Sequence, residues 1–315
     1  MPATHVRPAR PVTPAAASVL VLTVLLALRP GSSEAQEEAE SRAEAARPQA
    51  AAPALAGEVS YTLRPPVSVG GMPGAEVGVS AVQVAASVRI QVGPRTFLTP
   101  GVSYQGQFLS YQGMESPGAS DLHTLEAPVT LLHVIGPKWS LLGRASAGLS
   151  GDFESFDRHL TASAAAVAVR VVRPDLTVGF GAMVNHAGGR WLPLPVVTAG
   201  WQASDRLRVD AILPSFVKAT CRLGDRWEVG ALVQGDGTRW ALGGGAGQAT
   251  SIDYYSLDAG AVLGMRIAGN TWFNLFSGWN PLRRYTVHGG PADGHHDPDA
   301  AVVLRGGLEV RLPGP

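Results

Sequence analysis

Val82-Gln83-Val84-Ala85-Ala86-Ser87-Val88-Arg89-Ile90-Gln91-Val92 is the stretch whose reading decides the fold. A β-strand sends successive side chains to opposite faces. Val82, Val84, Ala86, Val88, Ile90 and Val92 therefore form an apolar wall, and Gln83, Ala85, Ser87, Arg89 and Gln91 a mostly polar one. Its eleven residues match the ~9–11 of a tilted membrane-crossing strand.

The alternation recurs along the chain. Trp139, Leu141, Ala145, Ala147 and Leu149 oppose Ser140, Arg144, Ser146 and Ser150, and Leu176, Val178, Phe180, Ala182 and Val184 oppose Thr177, Gly179, Gly181 and Asn185. Val102, Tyr104 and Phe108 oppose Ser103, Gln105 and Gln107, and Val302, Leu304, Leu308, Val310 and Leu312 oppose Arg305, Glu309 and Arg311. Residues 161–171 contain an alanine run that is compatible with a helix. The alternation of Val167, Val169 and Val171 and the neighbouring segments favour a strand.

Connections alternate in length. Gly93-Pro94-Arg95, Gly136-Pro137-Lys138, Arg173-Pro174, Ala203-Ser204-Asp205, Gly224-Asp225 and Ala268-Gly269-Asn270 read as tight turns. Residues 112–121, 151–160, 235–252 and 280–300 read as longer polar loops, with Pro214-Ser215 a short exception on their side. Short turns at one end and long loops at the other are the habit of membrane barrels. Trp139, Trp201, Trp227 and Trp272 beside tight turns, with Trp191 and Trp279 beside loops, suggest two interfacial girdles.

The expectation is an all-β chain: an antiparallel up-and-down transmembrane β-barrel of about 12–14 strands, even in number, over residues 57–315, with its apolar wall outward. Periodicity alone leaves open a soluble β protein with the opposite orientation. The composition favours the barrel. Charged residues are 16%, against about 25% in soluble domains, and no second run after the N-terminus reaches the ~18 apolar residues of a helical span. Lys plus Arg (25) balances Asp plus Glu (25), so no net field calls for nucleic acid. The single cysteine, Cys221, permits no internal disulfide. It falls with Val217 and Ala219 on the expected lipid face, where a small apolar role fits.

Arg7 and Arg10 precede a mostly apolar run over 15–28, and Ser33-Glu34-Ala35 offers small residues at a cleavage site. Residues 1–35 are read as an export signal cut near Ala35, and 36–56 as a flexible Ala/Glu/Pro-rich spacer. These features predict an outer-membrane address in a Gram-negative cell, with outer-membrane lipid and the barrel-assembly machinery as partners.

Phe97-Leu98-Thr99-Pro100-Gly101-Val102-Ser103-Tyr104, and the pair Trp191-Leu192-Pro193-Leu194-Pro195 and Ala211-Ile212-Leu213-Pro214, resemble an uncharacterised family of bacterial outer-membrane β-barrel proteins with paired Leu-Pro strands. The resemblance implies a barrel in the outer membrane and brings no activity or catalytic residue. Many such barrels end in an aromatic residue that assembly reads. This sequence ends Leu312-Pro313-Gly314-Pro315.

The polar wall supplies the candidate site. Arg89, Glu126, Arg144, Arg170, Arg208, Lys218, Arg222, Glu228, Asp258, Arg266, Arg305 and Glu309 are expected to face the lumen. Their basic excess suits an anion-preferring narrow pore. An internal salt-bridge ladder that fills the barrel is the alternative. His295, His296 and Asp297 are metal-ligand candidates, with a solvated loop as the competing reading, and neither metal nor cofactor is expected. Gly243-Gly244-Gly245-Ala246-Gly247 lacks the Lys-Ser/Thr of a phosphate loop. Ser155, Asp157 and His159 are the nearest approach to a hydrolytic set, so a rim enzyme remains an alternative to the expected non-enzymatic barrel of structural, surface or pore role. A secreted β protein binding an apolar ligand is the third reading.

Overall fold

The computed structural model describes residues 54–70, 72–114, 120–153, 160–187, 190–243 and 248–312. The expected signal (1–35), most of the spacer and the Ser155/Asp157/His159 set lie outside the described residues. Among the described residues there are fifteen strands and no helix. They are β1 (Ala54–Ser68), β2 (Glu76–Gly93), β3 (Thr96–Gln112), β4 (Asp121–Val134) and β5 (Trp139–Gly151). There follow β6 (Leu160–Arg173), β7 (Leu176–Ala187), β8 (Arg190–Gln202), β9 (Leu207–Leu213) and β10 (Phe216–Leu223). The last are β11 (Trp227–Ala241), β12 (Ser251–Ala268), β13 (Thr271–His288), β14 (Gly294–His296) and β15 (Ala301–Val310).

Each strand from β1 to β13 pairs antiparallel with the next, β13 pairs with β15, and β15 returns to β1. Fourteen strands thus close a ring at the height of the β9–β10 hairpin. The three-residue β14 prolongs β15: Tyr285↔His296 continues the register of Asn280↔Ala301 on β13. β1 begins at Ala54, three residues before the expected boundary, because Ala54, Leu55 and Ala56 pair with Arg89, Val88 and Ser87. Several strands outrun their expected ends. β11 reaches Ala241 and β13 reaches His288, inside stretches expected to be loop.

Directly opposed residues on neighbouring strands share a face, so the register assigns every wall. Around the lower barrel the apolar row looks outward: Tyr61, Val102, Leu125, Leu141, Phe180, Val197, Val233, Leu263, Leu275 and Leu304 are all exposed. The inward row carries Ser60, Thr62, Ser146, Glu228, Asp258 and Asn280, all buried. Toward the loop end this pattern reverses. On β2, Val77 and Val79 point inward and are buried, whereas from Val82 the apolar parity is outward, with no register break between them. On β12 and β13 the inward Ile252, Tyr254, Tyr285 and Val287 are buried, while Asp253, Arg284, Thr286 and His288 share the opposite face. These residues join Val69, Leu109, Leu122, Trp240 and Leu242 in a dry core between the walls. The expectation of a polar lumen along the whole strand is corrected here. Above the apolar band the outside is wet, so the inside takes the greasy row, as in a soluble protein.

The ring also narrows at that end. β11 crosses to β5, where Ala241 bridges Gly151, Ser150 donates to the Arg239 carbonyl (3.3 Å) and Trp240 Nε1 donates to Thr124 Oγ1 (3.2 Å). Strands β6–β10 are left out of this upper closure. β9 and β10 are only seven and eight residues long. Their hairpin accounts for the short Pro214-Ser215 turn on the loop side.

Close strand approach fixes residue type at Gly260 and Gly278, which pair across β12 and β13. A Cβ on either would strike the backbone of the other strand, and one on Gly278 would also meet the Phe276 ring. Gly278→Val is expected to destabilise the barrel by about 1–3 kcal/mol through overpacking. The check is urea unfolding in lipid vesicles, with Gly306→Val as the control, because a Cβ at Gly306 meets nothing within 4 Å.

Candidate functional site

The inward polar row divides into two unlike halves. On the β10–β13, β15 and β1 side, charges pair in layers. In the upper layer, Arg64 donates to Asp258 at 2.8 Å, and Arg305 reaches the same carboxylate at 3.3 Å. Arg305 also donates to Thr62 (3.2 Å) and Gln234 (3.1 Å) and stacks over Phe276. Asn280 donates to the other Asp258 oxygen at 2.6 Å. In the lower layer, Arg311 bridges Glu228 (2.8 Å) and Glu309 (3.0 Å) while lying over Trp272, and Asn274 donates to Glu309 (2.9 Å). Arg222 approaches Glu228 at 3.6 Å. Arg64 and Asp258 keep only 5% and 3% of their side-chain surface in contact with solvent. Attraction between such charges is large, but so is the cost of taking them from water. They hold because each acceptor has several donors.

The other half, β2–β7, lines a chamber of about 760 Å³. Gln83, Ser103, Gln105, Glu126, Arg144 and Ser163 are among its walls, and it extends to Ala56, Thr99 and Leu312 at the short-turn end. At the opposite end stands the dry core. Among the described residues Arg89, Glu126 and Arg144 have no ion-pair partner; Glu126 and Arg144 line the chamber, and Arg89 faces inward on the same half without lining it.

The sequence-selected residues fall as follows. Arg89, Glu126 and Arg144 face inward on the chamber half, and Arg208, Lys218, Arg222, Glu228, Asp258, Arg266, Arg305 and Glu309 face inward on the other half. Arg208 is tied to Asp210 on its own strand at 2.8 Å. Arg170 is a correction. It pairs with Trp139 on the outer wall and stacks on that ring, and Val167, Val169 and Val171 take the inward positions. A guanidinium can lie outside because it sits at the strand end, over an interfacial indole. Trp272 is a second correction, an inward tryptophan beneath Arg311 rather than part of a girdle. Trp139, Trp191, Trp201, Trp227 and Trp279 are exposed on the outer wall.

His295, His296 and Asp297 diverge. His295 shares a hydrogen bond with Thr286 (2.9 Å), His296 with the Ala292 carbonyl (2.8 Å), and Asp297 accepts two from Arg284 (2.7 and 3.0 Å). Those Arg284 hydrogen bonds hold the Asp297 carboxyl below the usual carboxylate range. Arg64, Asp236, Arg239 and Arg283 were not selected from sequence. Arg64 stands directly before Pro65-Pro66 on β1, and the other three lie in stretches that read as loop. The signal available was the continued alternation of Trp240, Ile252 and Tyr254 in the opposite parity; Tyr285 and Val287 keep the parity of Leu275 and Trp279 and are turned inward by the register shift at Leu257/Ala259.

The family described as "Domain of unknown function (DUF6268)" matches residues 98–290. No curated protein matches the sequence. Similar solved structures include the translocator domain of autotransporter NalP from Neisseria meningitidis (12% identity, TM-score 0.39, covering 94% of this chain and 96% of that one). An outer membrane channel from Pseudomonas putida F1 (10%, 0.45, 91% and 100%) and a Pseudomonas aeruginosa FadL homologue (13%, 0.41, 82% and 89%) are two others. Superpositions this loose bear on neither mechanism nor cargo, and the closed ring of strand pairs itself establishes the barrel.

Asp258→Ala strands the buried Arg64 guanidinium and takes one partner from the half-buried Arg305, and is expected to cost about 3–5 kcal/mol. Asp297→Ala removes an exposed pair and is expected to cost about 0–1 kcal/mol. Urea unfolding of both variants in vesicles checks the contrast.

Proposed function

We propose, from the premise that this chain belongs to the DUF6268 family, that it is a non-enzymatic resident barrel of the bacterial outer membrane whose lumen is a narrow, one-ended polar chamber. The observation that carries the membrane reading is the reversal of wall chemistry along single strands. A band of outward Val, Leu, Ile, Phe and Trp is bounded by the point on β2, β12 and β13 where the apolar row turns inward. Water around the whole ring would leave that lower band exposed without compensation, whereas acyl chains match it. The polar inner wall and the paired charges then replace solvent for the lumen.

The chamber half supports a narrow passage from the short-turn side, and the dry core at the loop end opposes free diffusion through it. Solubilisation is expected to require detergent, with gel migration that changes on heating. In planar bilayers the conductance is expected to be small. Arg89→Glu with Arg144→Glu should move the reversal potential toward cation preference, since these are the unpaired inward bases of the chamber half. An unchanged reversal potential would remove the chamber as the ion path.

A further inference from the structure

We propose that the barrel wall has a lateral portal above the β9–β10 hairpin, through which the acyl chain of a membrane amphiphile enters the chamber. The proposal rests on the reading that the barrel spans a membrane.

The first observation is height. At ~3.3 Å per residue and a tilt of roughly 40°, strands of seven and eight residues rise only about 18–20 Å, short of the ~25 Å apolar band of such barrels. On β8 the outward row from Trp201 to Trp191 spans about 25 Å by the same arithmetic. The hairpin therefore ends inside the hydrocarbon layer while its neighbours continue.

The second is the state of the two edges above it. Among the described residues, β8 has no β9 partner beyond Val197↔Leu213, and β11 has no β10 partner beyond Phe216↔Gln234 apart from Gly235, which donates to the Ser215 carbonyl at 2.7 Å. β11 then leaves toward β5. Gln202 donates its N–H toward the β7 side, to Asp175, and the β7–β8 register is unbroken. Even-numbered N–H groups of β8 thus point to β7 and odd-numbered ones to the missing neighbour. Pro193 and Pro195 occupy those odd positions, so the open edge has been stripped of two donors. An unpaired edge at membrane depth is tolerated only where it borders a cavity.

The third is that a cavity is there. The chamber that touches Glu126 and Arg144 is also lined by Asn185 and His186 on β7 and by Gly237 and Arg239 on β11, one group on each side of the notch. The inward face of upper β7 and β8 beside it is apolar. Met183 pairs with Leu194, Leu192 follows, and Val196 pairs with Gly181. Leu192 faces inward and is still 57% exposed. β8 is thus apolar on both walls from Trp191 to Val197, and a hydrocarbon chain is the ligand class that satisfies the inner one there. Glu126, Arg144 and Ser163 beyond it offer polar partners for a headgroup.

The test uses the full barrel in phosphatidylcholine vesicles containing a long-chain fatty acid with a photoreactive diazirine near its methyl end, with labelled residues located by mass spectrometry. Labelling is expected at inward Met183, Leu192 and Leu194 as well as at outward Phe180, Val197 and Leu213. Outward labelling alone would overturn the portal and leave the membrane reading intact. Absence of both would overturn the membrane reading itself. In a Met183→Asp, Leu194→Asp variant, labelling at Leu192 should fall about tenfold, the loss of roughly two methylenes of burial. Outward labelling should not change, which shows the barrel still folded. Undiminished labelling at Leu192 would count against the portal.

Discussion

Backbone hydrogen bonding in a medium without water is the constraint on which the rest of this structure depends. Each strand that crosses hydrocarbon must find partners for its N–H and C=O groups within the protein. Fourteen antiparallel strands in a ring do this with local connections, the return of β15 to β1 closes the ring, and the stretch of β8 above the β9–β10 hairpin is the exception. Once the ring is closed, alternation leaves no freedom: one row of side chains meets the outside and the next meets the inside. Val84, Leu141 and Leu304 lie on the outer wall for this reason, and Gln83, Arg144 and Arg305 on the inner one.

The same strands then leave the apolar band and the logic inverts, on β2 without a break in pairing and on β13 across the register shift at Leu257/Ala259. Val77 and Val79 on β2, and Tyr285 and Val287 on β13, pack inward because the outside above the band is polar. One continuous sheet therefore behaves as a membrane protein at one end and as a soluble β core at the other. The apolar core above and the Asp258- and Glu228-centred ion clusters below fill much of the lumen, leaving the chamber on the β2–β7 side. Closing the top by joining β11 to β5 separates the tips of β6–β10 from the upper ring. Where the ring constraint is relaxed, above Pro214, the sequence carries Pro193 and Pro195, residues that cannot donate.

Charge follows the same division. Residues that face a crowded inner wall come with partners, as Arg305 does with Thr62, Gln234 and Asp258. Those that face the chamber, Arg144 and Glu126, stand without ion pairs among the described residues. Of the inward bases, Arg208, Arg222 and Arg305 are held in ion pairs, and Arg89, Arg144, Lys218 and Arg266 have none among the described residues. Any selectivity of the lumen rests on fewer groups than the count suggests.

The amino-acid sequence by itself determined the strands, their period, the alternation of short turns and long loops and most of the inward polar row, because each of these is a local property of neighbouring residues. It also held the parity switch between Ala81 and Val82, although nothing local says that a switch marks the edge of an apolar band. Only the tertiary structure decided that Arg170 lies outside and Trp272 inside, since alanine-rich β6 and the Thr271 turn leave the face ambiguous until register is set by the neighbouring strands. It alone brought Arg64 to Asp258, which are 194 residues apart, and β11 to β5. Those contacts depend on where the ring closes, and ring closure is a property of all fourteen strands together.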